Sequence, residues 1–388
     1  MKRRQLLAVG CAQCTGLWAG AAFAQRTPPS EWAAPERFAK PDVTTDEGGL
    51  WAMMDREETK LRRSPFAMRD AKLRDYLQGI ACKLGGNHCP DVRVYPVRTP
   101  HFNASMAPNG MMQVWSGLLL RVDNEAQLAS VLGHEIGHYM RRHTLERLRD
   151  VKARAAFMTF LAAFGAVGAI GQLATMAGAM SFSRDQERDA DSIGITLMRE
   201  AGYDPREASK VWDNLRAELA GAPGGDPTKN SVFFATHPPS VERSETLARL
   251  AENASGGFKG DAELTDQLAG FQFDLLEDEM KRGQYGETVL LLNRMVARSP
   301  QRADLLYFRG ETRRLRDKDS DLNDALTDLR AAIALDKPPA QAHRSLGFVH
   351  QKMNQKSEAQ AEFSRYVELL PQAPDVELIR SYITESKS

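Results

Sequence analysis

Apolar positions recur at helical spacing through most of the chain and alternate at strand spacing in one stretch near its first quarter. From Leu50 to Lys83 the pattern is helical. It then changes. Val92, Val94 and Tyr95 precede Pro96, and Pro108-Asn109-Gly110 is a turn sequence between Asn103-Ala104-Ser105-Met106 and Met111-Met112-Gln113-Val114-Trp115. A small antiparallel sheet is predicted there. Asn124 then serves as an N-cap, with Gln127 three residues later, and opens a helix through Leu128, Val131, Leu132, Ile136 and Tyr139.

From Ala155 to Ser183 there is no charged side chain, a length that suits one membrane span. One crossing would separate residues before it from those after it, and two crossings need about 40 residues. Five of its positions are Gly165, Gly168, Gly171, Gln172 and Gly178, a poor composition for a span. The stretch is expected to be a buried helical hairpin, with an apolar flap making peripheral membrane or substrate contact as the alternative. Further on, Ala359, Phe363 and Pro371 follow Leu346-Gly347 at offsets of the tetratricopeptide type, and Ala325, Leu329 and Ala332 stand one repeat before Ala359, Phe363 and Tyr366. Gly283, Tyr285, Leu292 and Pro300 fit more loosely. Small residues at these sites let paired helices approach, and stacking buries what one repeat cannot. Ala254-Ser255-Gly256-Gly257 reads as the linker before this tail.

The chain has 388 residues, 51 Lys or Arg against 51 Asp or Glu, and 42% hydrophobic residues. That balance excludes a polyelectrolyte partner such as nucleic acid and leaves room for two domains. Lys2-Arg3-Arg4, an apolar run to Phe23 and Ala22-Phe23-Ala24 make residues 1–24 a secretory signal peptide, by the general or the twin-arginine route. Its removal leaves two of the four cysteines, Cys82 and Cys89, which an oxidising compartment would join in a disulfide. Two free thiols, or a second zinc site using His88, are the alternatives. Residues 25–49, rich in Pro, Thr and charge, read as an extended arm, 50–253 as the first domain and 260–388 as the repeat domain.

The helix after Asn124 carries His134-Glu135-Ile136-Gly137-His138. Positions i and i+4 share a face, so His134 and His138 can present two imidazoles to one ion, with Glu135 beside the first and in reach of water at the metal. A catalytic zinc wants a third protein ligand. Glu187 supplies it, and Asp191, four residues on, can accept the outer N–H of a ligating histidine. A glycine three residues after His138 and a histidine six after would mark the metzincin alternative, but Arg141 and Thr144 stand there. One Zn2+ per chain is expected. Thr236-His237-Pro238-Pro239, with Arg243 shortly after, offers an oxyanion donor, a reversible fourth ligand or a structural histidine in His237. His143, behind two arginines, is expected at a solvated helix end. The fold expected is mainly α: a zincin-type metallopeptidase domain, with active-site helix and small sheet, followed by a helical tetratricopeptide-like domain.

Taken together, Asn103-Ala104, Pro108-Asn109-Gly110, Gly117-Leu118-Leu119, Leu132-Gly133, the His134-to-His138 segment, Ser183-Arg184, Glu187, Ala190-Asp191, Thr236-His237-Pro238-Pro239 and Arg243 resemble the HtpX and CAAX-prenyl-protease family of gluzincin peptidases. With its export signal and repeat tail the chain is similar to the soluble, exported branch of that family. The resemblance implies a periplasmic zinc endopeptidase, not an integral membrane protein, that degrades stalled or misfolded outer-membrane proteins and assists their assembly. Its repeats would dock on the outer-membrane assembly machinery. Asn103 and Ala104 would offer an edge strand to extended substrate. A non-catalytic chaperone or scaffold with a structural zinc is the competing function. Glu135 argues against it, because a structural site has no need of a base beside an open position.

Overall fold

The computed structural model describes residues 32–150, 182–222, 237 and 241–385. The expected signal peptide and nearly all of the uncharged stretch from Ala155 therefore lie outside the described residues. No helix among those described is long and apolar enough to cross a membrane.

Residues 32–41 run without regular structure, and the first helix, α1 (Asp46–Arg63), begins four residues ahead of Leu50 because the Thr45 hydroxyl accepts from Gly48 N. Asp70 caps α2 (Ala71–Gly85) in the same way, through Leu73 N. A 3-10 turn, Gly86–Asp91, follows and brings Cys89 back to Cys82, to which it is bonded, with the Cα atoms 4.5 Å apart. His88 is fully buried, its Nε2 2.9 Å from Pro35 O, so it joins no cysteine in a second metal site.

The strands are β1 (Arg93–Val97), β2 (Ala104–Met106) and β3 (Met111–Trp115), in the order β1-β3-β2. The β2-β3 hairpin is antiparallel as expected. Its turn needs Gly110, at φ 88°, where a Cβ would stand 2.0 Å from Asp91 O. β1, however, runs parallel to β3, so the sheet is mixed and the expectation of a purely antiparallel sheet is corrected. After Val97 the chain passes to the far edge of β3, tied down by Thr99 N to Ser116 Oγ and Gly117 N to Thr99 O, both 2.9 Å. A turn sequence reports the hairpin it closes and says nothing about this non-local pairing. Asn103 lies just before β2 and its carbonyl accepts from Trp115 N.

Next come α3 (Ser116–Arg121), α4 (Glu125–Met140), capped by Asn124 as expected, α5 (His143–Asp150), α6 (Arg184–Glu200), α7 (Glu207–Leu219) and α8 (Val241–Ala251). The expected linker is bound to this body: Asp204 N donates to Phe258 O and Phe258 N to Gly202 O. The tail consists of α9 (Asp261–Leu268), α10 (Gln272–Lys281), α11 (Tyr285–Arg298), α12 (Ala303–Arg316), α13 (Asp321–Ala334), α14 (Gln341–Lys352), α15 (Lys356–Leu369) and α16 (Val376–Glu385). Ala325, Leu329 and Ala332 on α13 and Ala359, Phe363 and Tyr366 on α15 are all buried, so the residues read as repeated do occupy core positions. Tail and body meet around Arg121, buried with Glu218 and Glu279 each 2.8 Å from its guanidinium.

Candidate metal centre

Every residue of α4 is buried, and it lies against α6 with almost no side chain between the backbones. A Cβ on Gly137 would come 3.0 Å from Ala190 O, and one on Gly194 would come 3.1 Å from His134 N. That close approach sets Glu187 and Asp191 against the two histidines. Ser183 fixes where α6 starts through a reciprocal capping box with Gln186, which puts Glu187 in the first turn.

Four groups converge. His134 Nε2 is 3.1 Å from His138 Nε2 and 3.3 Å from His237 Nδ1, and His237 Nδ1 is 2.8 Å from Glu187 Oε1. One ligand atom from each of His134, His138, Glu187 and His237 lies within 4.8 Å of all the others, and all four residues are buried. The outer imidazole nitrogens are already engaged. His134 Nδ1 meets Asp191 Oδ1 at 2.8 Å, and His138 Nδ1 meets His143 Nδ1 at 2.9 Å. With protons on the outer nitrogens, the inner lone pairs face one another and repel unless a cation stands between them. The donor set of three imidazoles and a carboxylate suits zinc.

His143 corrects its sequence reading. It is 4% exposed because Arg142 adopts φ 59° and turns the chain back under α4, where His143 contacts His138 and lies 3.5 Å from Asp189. Arg243 stands behind the carboxylates instead of facing the open side. Its Nε and Nη2 donate to Asp191 at 2.9 and 2.7 Å, its Nη1 is 3.0 Å from Glu187 Oε2, and the Trp212 ring lies 3.9 Å beneath it. Trp212 has no sequence signal that sets it apart from a core aromatic. The small residues Gly133, Gly137, Ala190 and Gly194 did carry one, at helical spacing on the two helices that touch.

Electrostatics sort these groups. Burial pushes His134 down to about 4, and His138 well below its ordinary value, so both are neutral at pH 7, the form in which an imidazole can bind a metal. Burial works to raise Glu187, but His237 and Arg243 overcome it and hold the carboxylate well below its usual range. For His237 burial acts downward, and Glu187 more than reverses it. Glu135 differs from all of them. Burial, helped by Glu187 and opposed by His237, pushes it up to about 7. Its Oε1 is buried with no hydrogen-bond partner among the described residues, 3.6 Å from His237 Nε2. A carboxylate poised near 7 with a lone pair to spare is equipped to take and return a proton.

Residues 67–251 match the family model for Peptidase family M48. Over 156 residues the chain is 35% identical to the mitochondrial metalloendopeptidase OMA1 of Arabidopsis thaliana, covering 40% of this chain and 31% of that protein. It is 34% identical over 153 residues to the OMA1 protein of Schizosaccharomyces pombe, covering 39% and 44%. It is 30% identical over 198 residues to the β-barrel assembly-enhancing protease of Escherichia coli strain K12, covering 45% and 40%. In each case the chain spans less than half the length of the curated relative.

Proposed function

We propose, from the premise that residues 67–251 are a Peptidase family M48 domain, that this chain is a zinc metalloendopeptidase acting in the periplasm on misfolded or stalled outer-membrane proteins. The observation that carries the catalytic reading is Glu135, buried beside the cluster, raised to about 7, with Oε1 lacking a hydrogen-bond partner among the described residues. His134, His138 and Glu187 would hold the metal. Zinc, when bound, supplies a Lewis acid that polarises the scissile carbonyl and acidifies water. Glu135 Oε1 takes the proton of the attacking water and returns it to the leaving amine nitrogen. Asp191 and His143 hold the two ligand rings in the tautomer that keeps their inner nitrogens free, and Arg243 positions Glu187 and Asp191.

His237 offers Nδ1 to the cluster and Nε2 to Glu135, an arrangement that favours the fourth-ligand reading: it closes the site at rest and must swing away for substrate. Extended substrate would add to the outer edge of β2. There Ala104 would be a contact, because the Asn103 carbonyl already accepts from Trp115 N. The helices from residue 260 onward, read as tetratricopeptide-like, would dock on the outer-membrane assembly machinery. The E. coli relative's name, β-barrel assembly-enhancing protease, supports that setting.

A closed set of four protein ligands is also how structural zinc is held, and it favours the scaffold reading. The two separate on one experiment. Bound zinc is measured in wild type, Glu135→Gln and His237→Ala, and each is given an unfolded outer-membrane protein. Cleavage by wild type that falls by about 10²–10⁴-fold in Glu135→Gln at full zinc content is expected. Full zinc with no cleavage by wild type or by His237→Ala would leave the scaffold.

A further inference from the structure

The extended segment before α1 is strapped across the C-terminal end of the helix that carries His134 and His138. Arg37 makes a two-pronged ion pair with Asp91 at 2.8 and 2.7 Å, and Pro35 O contacts His88 Nε2. The Phe38 ring meets the rings of His88 and Tyr139 edge-on, with centroids 5.3 and 5.2 Å away, and the Arg142 guanidinium lies 4.9 Å from it. His88 and Asp91 belong to the turn that the Cys82–Cys89 bond ties to α2, and Tyr139 directly follows His138. The strap is therefore anchored to a cross-linked turn on one side and to the site helix on the other.

Between strap and sheet is a small cavity lined by Phe38, Met106, Pro108, His138 and Leu145, with the Glu47–Arg142 ion pair at its side. Its open space is no larger than one water molecule. Met106 belongs to the edge strand of the sheet and His138 to the metal cluster, so the cavity adjoins the place where a peptide bond would be cut. A peptide laid along β2 sends alternate side chains to opposite faces of the sheet. Met106, on that strand, and His138 both line this cavity, which puts it within reach of one such side chain.

We propose that the cavity is a substrate side-chain subsite, and that Phe38 of the strap closes it so that only glycine, alanine or serine fits beside the scissile bond. This rests on the peptidase reading. Phe38 acts by exclusion: the ring, fixed by three neighbours, cannot retreat for a branched side chain without breaking the contacts that hold the strap.

The test is a peptide series differing only at the residue flanking the cut, given to wild type, Phe38→Leu and Phe38→Ala, with circular dichroism to establish that each is folded. The ratio of kcat/KM for leucine over alanine peptides is expected to rise at least about tenfold in Phe38→Ala, and by less in Phe38→Leu, since a methylene in an apolar pocket discriminates by roughly 10–200-fold. A second readout needs no turnover. A fluorescent leucine peptide should bind Phe38→Ala/Glu135→Gln more tightly than Glu135→Gln alone. Folded Phe38→Leu with the size preference of wild type, or equal binding in the two Glu135→Gln proteins, overturns the subsite while the peptidase reading stands. A wild type that cuts no peptide removes both.

Discussion

The metal centre and the helical tail are both built from packed helices, but they gather their contacts over different distances. His134 meets His237 across 103 residues, and its Nδ1 meets Asp191 from another helix. In the tail a glycine meets the next helix along: Gly310 lies against Leu329, and Gly347 against Phe363. The centre is polar and His134, His138, Glu187, Asp191 and Arg243 each contact another of the group, so removing one leaves a buried charge or lone pair unpartnered. The tail's helices pack mostly on their neighbours in sequence, so damage to one helix pair is expected to be shared mainly with the next.

The junction between the two tests that contrast hardest. Arg121→Met leaves Glu218 with Arg294 and Glu279 with Arg282 as the remaining cations, and is expected to cost about 3 kcal/mol, read as a single lowered transition in thermal unfolding of the whole chain. Two separate transitions, with the body unmoved, would show that tail and body are not coupled through this network. Within the tail, Gly347→Ala places a methyl 2.5 Å from the buried Phe363 ring and should cost about 1–3 kcal/mol. Hydrogen exchange should locate the loss in α14 and α15 while peptide cleavage is unchanged; loss of protection in α4 would break the nearest-neighbour picture. The smallest effect is expected at His143→Ala. It should weaken zinc binding about tenfold in competition with a chelator, with secondary structure intact. Unchanged affinity would make the contact with His138 mere packing.

Much of the site was legible because helical spacing is a local property. His134 with His138, and Glu187 with Asp191, are i,i+4 pairs, and Asn124 announced the first of their helices. Each pair's relation to the other was a matter of chemistry: two imidazoles need another ligand, and a carboxylate pair can serve as ligand and orienter. His143 was misread because Arg141 and Arg142 on the chain before it suggest solvent, while the left-handed turn at Arg142 that buries it has no residue-level signal of the kind glycine gives. The direction of β1 was missed for a related reason. A strand's own residues do not say which neighbour it pairs with, and only the crossing from Val97 to the far edge of β3 makes the sheet mixed.

The sequence by itself determined the elements whose cause lies within a few residues: the site helix and its cap, the glycine turn of the hairpin, the spacing of the histidine and carboxylate pairs, and the pairing of Cys82 with Cys89. Only the tertiary structure decided how close α4 and α6 come, that His237 joins the cluster of His134, His138 and Glu187, that Arg243 stands behind the carboxylates on Trp212, and that Phe38 lines a cavity beside His138. Those features depend on groups brought together from distant parts of the chain. Their burial shifts the proton affinity of Glu135 to about 7, and burial is a property of the packed whole that no local run of residues carries.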